Sequence, residues 1–243
     1  MPAAIPYFGR RTRLDQRTLA IAQRHCLVAA LMMTIGGYAS PASGTEQPQT
    51  ADLSRQPIGS ALQDFEFWRA GQPDINHWTI VDEAKTKTEN CLSIQQSGAN
   101  REARPSLAIY KRLWGMNARL RAQFKLLDGS MPSAGIAVRV TSPNDYYLVR
   151  ASAFEQRLSL IHVVDGGSEE IADVDADIRP NHGQSLEVVA NGNSFKISLD
   201  DQWVLTAFDY SKPINGRFGI WAERDDVTRF NQIEISSVTY TSD

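Results

Sequence analysis

The sequence predicts an all-β protein, a two-sheet antiparallel jelly-roll sandwich. Short apolar runs rich in Val, Leu, Ile and Tyr, such as 146–151 and 158–164, are bounded by turn residues, which is typical of strands. About a dozen such segments, joined by hairpins in one chain, are typical of two packed sheets. A jelly roll manages the sheet edges by curling the sheets over each other. An immunoglobulin-type sandwich is the alternative, but it usually needs only ~100 residues.

The first 42 residues have the three-part pattern of a secretory signal. A basic head with five arginines precedes the uncharged apolar run 26–39, and small residues follow, with cleavage expected after Ala39 or Ala42. The run is shorter than the ~20 residues that a membrane span needs. An uncleaved anchor or a buried helix is the alternative. The pattern predicts a periplasmic or extracellular protein with no membrane span after cleavage.

The rest of the chain divides into a polar, Pro-containing segment, 43–60, and a sandwich domain, 61–243. Segment 43–60 is typical of a mobile linker. In segment 117–127 apolar residues alternate with charged or polar ones over five repeats, which predicts a strand with one buried face. The other predicted strands are 78–81, 91–95, 106–110, 136–140, 186–190, 195–199, 203–207, 216–223 and 231–240.

Two hairpins connect the strands between 186 and 207. The dipeptide Asn191-Gly192 favours a tight turn because both residues tolerate positive φ. The next turn, Asp200-Asp201, leads into a strand in which Trp203 shares its parity with Leu205 and Ala207. The alternation therefore groups Trp203 with two apolar side chains on one face.

Charge and cysteine content exclude several classes of protein. Removal of residues 1–42 takes away five of 25 basic and one of 28 acidic residues, which leaves 20 against 27 and a net charge of −7. A body this acidic argues against nucleic acid and against anionic membrane surfaces as partners. Only Cys91 follows the cleavage site, so no intramolecular disulfide is expected and stability must come from a core.

Three segments in their order carry a resemblance to a known group of proteins. They are YYLVRASAFEQRLSLIHVVDG, QSLEVVANGNSFKISLDDQWVLTAFD and NGRFGIWAERDDVTRFNQIEI, within roughly residues 62–240. The chain resembles the concanavalin-A-like lectin/glucanase superfamily, and more narrowly the bacterial secreted branch that includes the 3-keto-disaccharide hydrolase domain. The resemblance implies a jelly roll whose concave face binds sugars or, in the enzymes, cleaves glycosidic bonds.

Glycosidic cleavage needs a pair of carboxylates, about 5 Å apart in retaining and ~6.5–9.5 Å apart in inverting enzymes. The related β-glucanases carry theirs in an alternating Glu-x-Asp-x-x-Glu pattern. The acid-rich run 169–175 does not fit that pattern and follows a Gly-Gly turn, which indicates a solvated strand end. No catalytic residue is assigned, and whether the protein is an enzyme stays open.

A candidate carbohydrate-binding group lies on the strand near the C-terminus. Arg217, Trp221 and Glu223 share one parity, opposite to Phe218 and Ile220. An exposed Trp can stack on the apolar face of a pyranose while charged neighbours bond its hydroxyls. The alternative is that Trp221 packs in a core with Arg217 and Glu223 paired at its rim.

Arg150 and Tyr147, on the strand 146–151, complete the candidate carbohydrate-binding residues. Arg150 has apolar neighbours on its face, so it needs a carboxylate partner, for which Glu223, Asp145 and Glu187 are candidates. An inter-strand bridge and a binding role are both open for Arg150. His162 shares its parity with Leu158, Leu160 and Val164 and is interpreted as a core residue.

No cluster with metal-ligand spacing occurs, and no cofactor motif is found. The turns Asp200-Asp201 and Asp225-Asp226 could hold calcium through their carboxylate oxygens. Asp is also an ordinary turn residue.

Three functions agree with these observations. The first is a secreted protein that recognises carbohydrate through its β-sandwich. The second is a glycoside hydrolase acting on a keto-sugar or related glycoside. The third is a non-catalytic envelope interaction protein that binds no sugar, because a fold alone does not determine function.

Overall fold

The structure is a computed structural model that describes residues 49–51, 56–69, 72–73, 78–83, 92–96, 105–211, 214–223 and 226–239. All of them lie in the unit Thr45–Asp243. The predicted signal peptide, Cys91 and Asp225 lie outside the described residues.

The described part of the chain contains strands and no helix. The strands are β1 Gln49–Thr50, β2 Phe65–Arg69, β3 Gln72–Pro73, β4 Trp78–Asp82, β5 Leu92–Gln96, β6 Ser106–Gly115, β7 Ala118–Asp128, β8 Ser133–Ser142, β9 Asp145–Ser152, β10 Arg157–Val164, β11 Gly167–Asp175, β12 Gln184–Asn191, β13 Ser194–Leu199, β14 Gln202–Phe208, β15 Gly216–Ala222 and β16 Val227–Ser237.

These strands form two eight-stranded antiparallel sheets, as the sequence predicts. Sheet 1 has the order β14-β13-β12-β7-β16-β5-β4, with β1 also paired to β16. Sheet 2 has the order β11-β10-β9-β8-β15-β6-β2-β3. The two sheets pack face to face as a jelly-roll sandwich, and the all-β prediction is confirmed.

The core between the sheets is built from alternate residues of their inner faces. On β7 the apolar parity predicted from the sequence, Ala118 to Leu126, is buried, while Arg119 and Arg121 lie on the outer face. Trp78 of sheet 1 donates a hydrogen bond from Nε1 to Oγ of Ser106 in sheet 2, at 2.6 Å. This bond satisfies a buried polar group and links the two layers.

The linker prediction for 43–60 is wrong at the residues that the structure describes. Gln49 and Thr50 pair with β16, and the backbone nitrogen of Ala51 donates to the carbonyl of Ile233. Ser60 and Gly59 bond the backbone of Ile80. Backbone pairing of this kind is independent of side-chain polarity, so composition alone could not reveal it.

The outer face of sheet 2 is also apolar. Its buried side chains form a cluster separate from the core between the sheets, namely Leu107, Ile109, Ala137, Val140, Tyr146, Leu148, Ile161, Val163 and Trp221, with Trp68 packed against it. Burial raises the pKa of the Tyr146 phenol to about 12. Strands buried on both faces read as nearly continuous apolar runs, which explains the composition of β9 and β10.

Gly219 provides a test of how tightly the centre of sheet 2 is packed. A Cβ at this position would lie 2.2 Å from the carbonyl oxygen of Ala108 in the neighbouring strand. We expect Gly219→Ala to destabilise the protein by about 1–3 kcal/mol, the usual cost of overpacking. Thermal unfolding checks this, with Gly183→Ala as the control because nothing lies within 4 Å of its added methyl group. Equal melting temperatures for the two variants would contradict the packing described for Gly219.

Candidate functional site

The predicted aromatic platform at Trp221 is not exposed. Trp221 is 3% exposed and packs in the apolar cluster on the outer face of sheet 2. Its Cε3 would lie 3.4 Å from a Cβ added to Gly135 on the neighbouring strand, because the indole covers that glycine. The parity predicted for Trp221 is correct, but the alternative interpretation, packing in a core, describes its surroundings.

Arg217 lies on the same face as Trp221, and its guanidinium contacts Trp68 and Glu66 instead of the predicted partner Glu223. Its guanidinium carbon lies 4.4 Å from the ring centre of Trp68, and its Nη1 lies 2.5 Å from a carboxylate oxygen of Glu66. Both contacts stabilise a cation.

Arg150 also finds a partner that the sequence did not suggest. Its guanidinium pairs with Glu155, in the connection that follows β9, and not with Glu223, Asp145 or Glu187. A partner five residues away in a hairpin loop was not among the carboxylates considered on the neighbouring strands. Arg150 therefore closes a local hairpin contact, and the expectation of an inter-strand bridge to those three carboxylates is wrong.

Tyr147 lies on the opposite face of sheet 2, so the structure does not bring it together with Trp221 and Arg217. Its hydroxyl donates to a carboxylate oxygen of Asp209 at 2.7 Å and lies 3.0 Å from the hydroxyl of Ser211. Its ring stacks on that of His162, with centroids 4.1 Å apart. Nδ1 of His162 lies 3.7 Å from Asp209. His162, which was predicted to be a core residue, therefore lies in a polar cluster between the sheets.

The protonation states in this cluster are set by burial and hydrogen bonds. Burial raises the pKa of Tyr147 to about 12, so the phenol remains a donor at neutral pH. Burial alone would also raise the pKa of Asp209, but hydrogen bonds from Tyr147 and Ser211 and the nearby His162 together lower it below 3.8. Asp209 is thus a carboxylate that anchors the segment after β14.

This lowered pKa predicts a pH dependence of stability. Because the folded state holds the Asp209 carboxylate more favourably than the unfolded chain does, its contribution is present above the unfolded pKa and is lost as pH falls through the folded pKa. We expect Asp209→Asn to lower the melting temperature at pH 7 and the difference from wild type to shrink below about pH 4. Asp175→Asn is the control, since that carboxylate side chain is 92% exposed. A difference that stays constant down to pH 2 would contradict the assignment.

The outer face of sheet 1 carries a row of polar groups that runs across five strands. Cross-strand register places five side chains in one row across the sheet: Trp203, Ser198, Glu187, Arg121 and Glu234. With strands ~4.8 Å apart, the row spans about 19 Å. Trp203 at its end is 59% exposed and Arg121 and Glu234 are partly exposed, whereas Ser198 and Glu187 between them are buried.

The charges in this row are held in place by ion pairs. Glu187 is buried and accepts a hydrogen bond from Nη2 of Arg119 at 2.7 Å, and Nη1 of Arg121 lies 3.7 Å from the same oxygen. Arg121 also pairs with Asp201 at 2.5 Å. The hydrogen bond to Glu187 raises the pKa of Arg119, so its charge is permanent. Donors and acceptors held in this way are already oriented for a polar ligand.

A shallow depression with a cavity volume of only about 10 Å³ lies beside this row, lined by Arg119, Arg121, Glu234 and Ser236. Ligand pockets that enclose a small molecule usually have a volume of about 300–1,000 Å³. The depression therefore suits a ligand that rests on the surface of the sheet rather than one that is enclosed.

The sequence missed Trp203 because of a β-bulge. Its parity groups it with Leu205 and Ala207, and Leu205 pairs with Ile197. The register shifts between Ile197 and Ser198, so that Trp203 pairs with Ser198 and lies on the outer face. A bulge reverses the inward and outward parity beyond it, and nothing in the local pattern marks it.

The carboxylates of the predicted calcium turn have protein partners. Asp200 accepts hydrogen bonds from the backbone nitrogen of Ser185 at 2.8 Å and from Nε2 of Gln184 at 3.0 Å, and Asp201 pairs with Arg121. Asp226, next to the second turn, accepts from the backbone nitrogen of Ser133 at 2.7 Å. No group of three or more His, Cys, Asp or Glu placed to hold a metal occurs within the described ranges. Calcium binding stays a prediction.

A search of the described residues for an apolar helix of membrane-spanning length finds none. No protein-family model matches the chain, and no curated protein does.

Two solved structures are similar to this chain over most of its length. The carbohydrate-binding module CBM66 from Bacillus subtilis matches with a TM-score of 0.56 and 21% identity, over 74% of this chain and 100% of the module. A protein of unknown function with a galectin-like fold from Bacillus subtilis matches with a TM-score of 0.53 and 9% identity, over 80% of this chain and 100% of that chain. The fold is thus the concanavalin-A-like sandwich that the sequence resemblance implies.

Proposed function

We propose that this protein recognises carbohydrate through the outer face of sheet 1. The observation that carries the proposal is the exposed Trp203 in register with Glu187 and Arg121. The ring offers an apolar surface to the C–H face of a sugar, while the partly exposed guanidinium of Arg121 bonds its hydroxyls and the buried Glu187 holds that guanidinium in place. The sequence prediction centred on Trp221, which lies on β15 in sheet 2, so the proposed site lies on the other sheet.

The solved structures support the proposal through the fold. The module from Bacillus subtilis is described as carbohydrate-binding and has the same sandwich architecture over its whole length. At 21% identity this likeness concerns the fold, so the residues of this chain must carry the argument for the ligand.

The proposal includes secretion. Residues 1–42 have the pattern of a signal peptide, and a protein that binds carbohydrate outside the cytoplasm meets glycans of envelopes or of the surroundings. Cell fractionation of the producing organism, with the N-terminus of the mature chain sequenced, tests this. A mature chain that begins at Met1 or Pro2 in the cytoplasm would contradict it.

Binding itself is tested by a glycan array, followed by calorimetric titration of the hits with the purified protein. We expect saturable binding that Trp203→Ala removes. Absence of any hit on an array of plant, microbial and animal glycans would overturn the proposal and favour an interaction protein that binds no sugar.

Hydrolysis is the second function to test, because Glu234 and Glu187 flank Arg121 on neighbouring strands. Their Cα atoms are about two strand spacings, or ~10 Å, apart. Glu187 is tied to two guanidinium groups, which suits a structural acceptor better than an acid or base in catalysis. Chromatography of a bound oligosaccharide after long incubation distinguishes the two functions, since only a hydrolase releases shorter products.

Replacement of Glu187 tests the polar part of the proposed site, in which this carboxylate pairs with Arg119 and Arg121. In Glu187→Gln the charge that holds Arg119 is lost and Arg121 keeps only its pair with Asp201, so the two guanidinium groups are held less firmly in their orientation. We expect sugar affinity to fall about tenfold, which corresponds to ~1.4 kcal/mol. Calorimetric titration measures the change, and Glu170→Gln, at an exposed position of β11 in the other sheet, is the control. Unchanged affinity in Glu187→Gln would remove this row from the site.

A further inference from the structure

The outer face of β14 carries a second aromatic group besides Trp203. Phe208, in register with Ser194, is 53% exposed, and Tyr210 just beyond the strand is 81% exposed. Their rings lie 6.3 Å apart between centroids and are inclined by only 12°. Exposed apolar groups of this size, side by side, usually mark an interaction surface.

The two aromatic groups are separated along one strand by a polar stretch. Phe208 and Trp203 pair with Ser194 and Ser198, four residues apart on β13, which at ~3.3 Å per residue places the two about 13 Å apart. Between them lie Thr206 and, opposite it on β13, the exposed Lys196, which makes no ion pair within the described part of the chain. The outer face of this edge therefore alternates aromatic, polar and aromatic.

Asp209 lies between Phe208 and Tyr210 in the chain, and its hydrogen bonds hold these two aromatic side chains outward. The side chain of Asp209, between Phe208 and Tyr210, accepts hydrogen bonds from the hydroxyl of Tyr147 at 2.7 Å and from the backbone nitrogen of Ser211 at 2.8 Å. The backbone nitrogen of Asp209 donates to the carbonyl of Asn193 at 3.0 Å. With Asp209 fixed between the sheets, its two neighbours must point to solvent.

We propose that the ligand is a linear oligosaccharide of several units that lies along β14, with one stacking subsite at Trp203 and a second at Phe208 and Tyr210. A single terminal sugar cannot reach both aromatic groups across about 13 Å. Two subsites on one chain favour the longer ligand because the second contact forms without a further loss of translational freedom. The proposal rests on the proposed function and adds the class of ligand.

In this arrangement Asp209 is a positioning residue. It contacts no ligand, but it fixes the segment that carries the second subsite. Its loss should weaken binding of long chains and leave short chains unaffected, a difference that a general loss of folding would not produce.

The test uses ladders of two to six units of β-1,4-linked glucan, xylan and chitin and of α-1,4-linked galacturonan, titrated by calorimetry into the full chain. We expect at least one ladder to bind, with affinity rising about tenfold or more from the shortest to the longest member. The double variant Phe208→Ala/Tyr210→Ala and Asp209→Asn should each remove that rise while the affinity for the shortest binding member stays the same. Phe154→Ala, an exposed aromatic residue in the loop after β9, is the control.

The outcomes separate the two proposals. Failure of every ladder to bind, together with a glycan array that gives no hit, would overturn the proposed function itself. Failure of every ladder while the array gives hits would overturn only the linear ligand on β14. Binding that is equally tight for the shortest and longest members, or a rise with length that survives the Phe208/Tyr210 double variant, would overturn only the linear ligand on β14. In that case the exposed aromatic pair is free for another role, such as a protein contact.

Discussion

Trp203→Ala is expected to abolish most sugar binding and to leave the stability of the protein nearly unchanged. The side chain is 59% exposed, so its removal creates no cavity and shifts the free energy of unfolding by no more than about 0.5 kcal/mol. Truncation of a Trp at the centre of a binding site typically costs about 2 kcal/mol or more, which is roughly 30-fold in affinity. Calorimetric titration with the best glycan and thermal unfolding measure the two effects.

Trp114→Ala is the matched control, because Trp114 is 61% exposed and lies at the end of β6 in the other sheet. We expect it to change neither binding nor melting temperature. If both variants lose affinity alike, the effect is not specific to the row on sheet 1. If Trp203→Ala binds as wild type does, the proposed site is wrong.

Trp221→Ala should have the opposite result, a large loss of stability with sugar binding retained in the folded fraction. Truncation of a buried Trp costs about 3–5 kcal/mol through lost transfer energy and the cavity left behind. For a chain of this size each kcal/mol corresponds to about 2–4 °C, so the melting temperature should fall by roughly 6–20 °C. Thermal unfolding followed by circular dichroism measures the fall.

A conservative replacement supports the interpretation of Trp221. Trp221→Phe keeps an aromatic side chain against Gly135 and Leu148 and should lose clearly less stability than the alanine variant. Loss of binding with a normal melting temperature in Trp221→Ala would instead place the sugar on sheet 2, as the sequence suggested. Together the two Trp variants decide which sheet carries the site.

The sequence predicted the residue types of the proposed site but not their positions in the chain. An exposed Trp with an arginine and a carboxylate on one face was expected, and the proposed site has these residue types in one cross-strand row at Trp203, Arg121 and Glu187. The pattern led instead to Trp221, because its parity is opposite to that of Phe218 and Ile220 in a regular strand. Parity identifies a face, but it does not say whether that face meets water.

Tyr147 and His162 show the same limit of local pattern. Both were assigned to strands correctly, and the interpretation of His162 as an interior residue agrees with its place between the sheets. Their partners Asp209 and Ser211 lie more than forty residues away, after β14. A hydrogen bond over that separation depends on how two sheets meet, which no short window of sequence contains.

The sequence by itself determined the fold class, because the period-two alternation of β7 and the turn residues between strands are local properties of the backbone. Only the tertiary structure decided which side chains face solvent. One bulge in the pairing of β13 with β14 turned Trp203 outward, and burial on both faces of sheet 2 removed Trp221 from solvent. The physical reason is that side-chain exposure depends on register and on sheet packing, which arise between residues distant in the chain.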